Sequence, residues 1–135
     1  MLERGHRILI NAGDDAHFAF PRDRFGGWVE VWAETLDPSG LLAGLTAGSY
    51  YSTQGLRIEC LELDGDSLQV STGPAHAIAL GGAGGRWLHG SSVVDENGGL
   101  VSEGTFDLSR FRRSYCRVTV IDVQGRRAWS NPIWP

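Results

Sequence analysis

Apolar and polar residues change their rhythm twice along this chain. At the start, Arg7 leads into Ile8-Leu9-Ile10, a continuous apolar run of the kind carried by a strand buried on both faces. The run stops at Asn11-Ala12-Gly13, where the glycine permits a sharp turn, and Asp14-Asp15-Ala16-His17 follows. Phe18 to Phe25 reads as a loop with Pro21 and alternating charges from Arg22 to Arg24. Trp28 to Ala33 alternates, with Trp28, Glu30 and Trp32 on one side and Val29, Val31 and Ala33 on the other. That predicts a short strand or an extended connector.

The period then lengthens. Asp37 suits a helix N-cap, Pro38 the first helical position and Gly48 the closing position, so a helix of roughly ten residues is expected between them. Leu41, Leu42 and Leu45 make its apolar stripe, with Leu36 placed to staple against it. Gly40 and Gly44, four apart, permit close approach to another element, or simply weaken the helix. Ser49 to Gly55 is an aromatic and hydroxyl-rich segment ending in a turn, read either as polar groups offered to a substrate or as a strand whose hydroxyls satisfy nearby backbone.

From Leu56 the period is two. Leu56, Ile58, Cys60 and Glu62 alternate with Arg57, Glu59, Leu61 and Leu63; Asp64-Gly65-Asp66 turns the chain, and Ser67 to Ser71 returns. Further strands are expected at 76–80, 86–89, 93–94 and 101–108, with Gly81 to Gly85 as a turn. A final hairpin runs from Tyr115 to Ile121, turns at Asp122 to Gly125 and returns from Arg126 to Ser130, before Pro132 and Pro135 end regular pairing. The expected fold is mainly β: an antiparallel β-sandwich of about seven strands over 56–135. A remnant strand and one short helix of an α/β domain over 1–55 precede it.

Composition narrows the functions. A chain of 135 residues suits one domain able to bury roughly two-thirds of its unfolded surface, and 41% hydrophobic with 21% charged residues is ordinary for a globular protein. The net charge of −4 argues against nucleic acid as a partner. All twelve basic residues are Arg, which a GC-rich coding bias explains. Arg110, Arg112 and Arg113 form one basic cluster, read as a solvated loop. No apolar run approaches a bilayer span or a signal-peptide core, so the expected location is cytoplasmic, without membrane association. Cys60 and Cys116 lack metal or redox spacing and read as two buried free thiols.

Few motifs carry chemistry. Gly81 to Gly85 lacks the Lys and Ser/Thr of a phosphate loop, and His76 and His89 lie on separate expected strands. Trp87, Trp129 and Trp134 could form a sugar platform or fill a sandwich core. Asp15 and His17 stand out. Two residues apart in an extended segment, a carboxylate and an imidazole can aim at one point, as a metal site requires. The plainer alternative is a solvated turn or a cap.

Three segments together, Asp14-Asp15-Ala16-His17-Phe18, Gly26-Gly27-Trp28 and Leu41 through Gly55, resemble the C-terminal part of PHP-type (polymerase and histidinol phosphatase) metal-dependent phosphoesterases. Tyr115 to Val118 and Ala128 to Trp134 look like the terminal hairpin of the β domain in the same proteins. The resemblance implies that Asp15 and His17 are the last metal-ligand pair of a distorted barrel, with Asp14 a weaker candidate. Tyr50, Tyr51, Ser52 and Thr53 would then lie near the substrate. It further implies divalent ions (Mn, Zn, Fe or Mg) that activate water against a small-molecule or other phosphoester in the complete protein.

The early His-x-His and the middle Glu and His ligands of that family are missing here, and Leu56 stands where Pro is expected. The expectation is therefore a C-terminal fragment, inactive and without tight metal binding alone, whose partner is the missing N-terminal barrel part or a second copy of the chain. The rival is a stand-alone β-sandwich module binding a glycan or a protein without catalysis.

Overall fold

Residues 2–4, 6–17, 24–83 and 92–135 are described by the computed structural model, the side chain of residue 3 excepted. The hairpin expected at Asp64-Gly65-Asp66 forms: β3 (Ile58–Asp64) pairs antiparallel with β4 (Ser67–Ala75), Asp64 opposite Ser67. Gly65 takes φ +56, a conformation open to glycine at no steric cost. On the other edge of β4 lies β7 (Val101–Asp107), completing a three-stranded sheet.

The second sheet has six strands. In spatial order they are β1 (Trp28–Val31), β2 (Tyr50–Thr53), β9 (Arg127–Trp129), β8 (Cys116–Ile121), β5 (Ala77–Gly82) and β6 (Ser92–Val93), every neighbouring pair antiparallel. The fold is thus mainly β, with nine strands in two antiparallel sheets and one α-helix among the described residues. The strand total exceeds seven because Trp28–Val31 and Tyr50–Thr53 join the sheet. Ser52 pairs with Trp129 and Thr53 with Ala128, so strands from the first 55 residues and from the last ten share one ladder. The expected strand at 86–89 lies outside the described residues.

The core is where the inward faces of the two sheets meet. Ile78, Leu80, Val118 and Val120 come from the six-stranded sheet, and Ile58, Leu68, Val70 and Phe106 from the three-stranded one. Burying each of these apolar side chains contributes about 1.5–3 kcal/mol before entropic costs. Gly81 and Gly82, expected in a turn, instead end β5. A Cβ on Gly82 would stand 2.1 Å from the Tyr115 carbonyl oxygen and 2.8 Å from the Phe111 ring, an approach that requires glycine.

One expectation about β3 fails for a local reason. Its register with β4 shifts between Ile58 and Cys60, so Glu59 is an extra residue and the alternation changes phase. Ile58 stays buried, Leu61 packs against the core, and Cys60 faces solvent. Only Cys116 is the buried thiol that both cysteines were expected to be, and both are free.

Helix α1 (Pro38–Ala47) forms with the expected punctuation. Asp37 Oδ1 accepts from the Gly40 amide at 2.8 Å, and the left-handed Gly48 closes the helix. Ser39 and Gly40 hold the Asp37 carboxyl down at about 2. Its packing is the reverse of the expected stripe. Gly44 is the buried residue of the helix, while Leu36 is 95% exposed and staples nothing. Leu41, Leu42 and Leu45 also face outward, Leu42 at 63% exposure. A Cβ on Gly44 would meet the Trp32 carbonyl oxygen at 2.7 Å and Val31 Cγ1 at 2.8 Å, so the helix lies on the end of β1 through its glycine.

Residues 7–12 form no strand. An apolar run becomes a strand only where a neighbour accepts its hydrogen-bond ladder, and among the described residues no strand pairs with this one. The segment is held by side chains instead. Asn131 Oδ1 accepts from the Ile10 amide at 3.1 Å, and the Leu9 side chain lies against Gly48 at the end of α1. The Arg7 guanidinium sits 5.5 Å from the Trp134 ring centroid.

Candidate functional site around Asp14 and Gly26-Gly27

Asp14 is the best-anchored carboxylate of the opening stretch. Its Oδ2 accepts from the Phe25 amide at 2.6 Å and its Oδ1 from the Gly27 amide at 2.7 Å. The bonds from Gly27 and Phe25 hold its carboxyl below the ordinary aspartate range, because both favour the ionised form. Gly27 lies against both neighbouring segments: a Cβ built there would stand at ordinary contact distance, 3.5 Å from Ala12 Cβ and 3.8 Å from the Thr53 carbonyl oxygen. Gln54 closes the corner, donating from Nε2 to the Gly26 carbonyl at 3.1 Å and accepting at Oε1 from the Arg127 amide at 3.1 Å. Segments 12–14, 25–27 and 53–54 therefore meet at Gly26-Gly27.

Asp15 and His17 follow directly and both are exposed. They do not lie in the expected extended stretch, since Asp15 takes φ +51, a left-handed conformation that Asp adopts more readily than most residues. Asp14 thus serves the turn, and Asp15 and His17 are the pair presented outward.

Tyr50, Tyr51, Ser52 and Thr53 are all buried in β2. Strand alternation divides them between faces. Tyr51 joins the core, pushed to a raised pKa chiefly by burial, and Thr53 shares its face. The Thr53 hydroxyl accepts from the Gly55 amide at 2.9 Å and donates to the Leu56 carbonyl at 2.6 Å, turning the chain out of β2. Tyr50 and Ser52 lie on the opposite face, where Ser52 stands in register with Trp129, and Trp129 with Thr119. The Ser52 and Thr119 hydroxyls are buried there without a hydrogen-bond partner among the described residues.

Among the described residues, no three of His, Cys, Asp and Glu gather closely enough to hold a metal ion. Asp15 and His17 supply two donors, and a protein-bound divalent ion takes four or more. The described chain alone does not fit a complete metal centre.

The other candidates separate. His76 is exposed, and His89 and Trp87 lie outside the described residues. Trp129 is half-buried in β9, and Trp134 stacks on Arg7. Arg112 pairs with the Asp66 carboxylate at the surface. No helix among the described residues is long and apolar enough to cross a membrane.

A second feature arises from residues whose proximity the sequence pattern does not reveal. Glu30, Trp32, Tyr51, Arg57 and Glu59 line an open cleft of about 590 Å³ where β1 and β2 face the start of β3. The Trp32 and Tyr51 rings lie 5.5 Å apart, tilted by 48°. The alternation of Trp28, Glu30 and Trp32 was its one legible signal; the bulge that aims Glu59 has none.

No protein-family model, curated protein or solved structure matches this chain.

Proposed function

We propose that this chain is the C-terminal part of a PHP-like metal-dependent phosphoesterase, in which Asp15 and His17 are one ligand pair of a metal site completed by residues beyond those described. In the complete protein the reaction is hydrolysis of a phosphoester by metal-activated water. The observation that carries this reading is the meeting of the three motif segments at Gly26-Gly27, which makes one structural unit of residues scattered over forty positions and leaves Asp15 and His17 exposed at its edge. The outward leucines of α1 support it too, because an uncharged helix with leucines on its open side is suited to lie beneath another layer of protein. The chain by itself is inactive.

The test is hydrolysis of bis(p-nitrophenyl) phosphate in Mn²⁺ or Zn²⁺ by the chain alone and by the chain joined to the polypeptide encoded immediately upstream. Turnover is expected in the joined form, falling by at least about 100-fold on Asp15→Ala or His17→Ala. Turnover by the chain alone that disappears on Asp15→Ala would sink the claim of an incomplete site. An upstream polypeptide without His-x-His, or a joined form indifferent to both substitutions, would sink the metal pair.

A further inference from the structure

The cleft between β1, β2 and β3 has a composition that selects its ligand. Trp32 is 50% exposed, so one large aromatic surface is left open beside the buried Tyr51 ring. Glu30 is fixed at the strand surface by a hydrogen bond from Trp28 Nε1 at 2.8 Å, and it stands directly across the β1–β2 ladder from Tyr51. Glu59 is the extra residue of the β3 bulge, and such bulges redirect a side chain from the sheet's normal alternation. Glu30, Arg57 and Glu59 all line the cleft together with Trp32 and Tyr51, so three charged groups border the open aromatic surface.

We propose that this cleft binds a neutral sugar ring, stacked on Trp32 and hydrogen-bonded at its hydroxyls by Glu30, Arg57 and Glu59. An anionic ligand is opposed by the two carboxylates, and a cationic one, itself a donor, leaves the donor-only Arg57 guanidinium unused. A polyol is both donor and acceptor, so it can hydrogen-bond all three groups. The C–H face of a pyranose presents apolar surface to the indole, which is otherwise left in water. The volume lies within the range of small-molecule sites, though an open cleft of this kind gives modest affinity. No metal is needed, and the proposal rests on no part of the phosphoesterase reading.

Titration of the ¹⁵N-labelled chain with methyl glycosides and short oligosaccharides of glucose, mannose, galactose and N-acetylglucosamine tests this. At least one should give saturable shifts of the Trp32 indole N–H, with a Kd on the order of 1 mM or tighter, unchanged between low and high NaCl. Trp32→Ala should weaken binding by about tenfold or more, and Arg57→Gln, at an exposed side chain that leaves the core intact, severalfold. Absence of saturable shifts up to about 50 mM for every sugar overturns the proposal. So does saturation by tetramethylammonium or inorganic phosphate with none by sugars, or full retention of binding in Arg57→Gln and Trp32→Ala proteins that melt normally.

Discussion

The side-chain amide of Asn131 donates to the carbonyl oxygen of Tyr50 at 3.0 Å, joining residues 81 positions apart. The same Nδ2 donates to the Gly48 carbonyl at 3.0 Å, while Oδ1 accepts from the Ile10 amide. One side chain therefore ties the tail to the helix end, to β2 and to the opening segment. Asn131→Ala should destabilise the protein by about 1–3 kcal/mol through the partners left unpaired. Hydrogen exchange should show the Ile10 amide losing protection first, with the β8 amides changing only in step with global stability.

The Asp14 turn makes the opening segment sensitive to acid. Its folded pKa lies below the ordinary 3.8, so the ionised form is favoured by folding. That contribution is fully present above the unfolded value and is lost as pH falls through the folded one. The Gly27 amide proton should accordingly titrate with a midpoint below 3.8, and Asp14→Asn should abolish this titration. A midpoint above 3.8 would contradict the two amide bonds.

The two thiols should react very differently. Burial pushes Cys116 up to about 12, whereas Cys60 sits exposed beyond the bulge. At pH 8, iodoacetamide should label Cys60 within minutes and leave Cys116 untouched until denaturant is added. Protection of Cys60 as complete as that of Cys116 in the native protein would mean that β3 keeps its register without the shift at Glu59.

Gly44→Ala sets two effects against each other. Alanine favours a helix interior by about 1 kcal/mol over glycine. At this position its Cβ would press on the Trp32 carbonyl, a backbone atom that moves only with β1 itself. The clash should win, lowering stability by about 1–3 kcal/mol. Ala43 and Thr46 face solvent on the same helix, and Ala43→Ser and Thr46→Ser should each stay within about 0.5 kcal/mol. A Gly44→Ala protein that melts higher than the parent would show that α1 does not lie on β1.

The β character and the punctuation of α1 were legible because each rests on neighbouring residues. Asp37, Pro38 and Gly48 act within one turn, and the hairpins at Gly65 and Gly125 need only their own turn residues. The run 7–12 misled because a strand is defined by its partner, and the apolar pattern of Ile8 to Ile10 says nothing of where a partner lies. Cys60 misled because a single inserted residue reverses a period of two without any local sign. At the candidate site, Asp14 and Asp15 are adjacent and chemically identical. Their division into a turn anchor and an exposed donor depends on Phe25 and Gly27, eleven and thirteen positions from Asp14.

Helix α1, with glycine turned inward and leucines turned outward, would make mutational tolerance depend on what is assayed. In the chain alone, Leu42→Lys removes no buried contact and should score as neutral or even as an improvement in solubility. In the phosphoesterase proposed above, the same substitution would set an ammonium against a neighbouring layer and score as damaging. The positions where those two scores diverge would trace the outline of whatever lies over this helix.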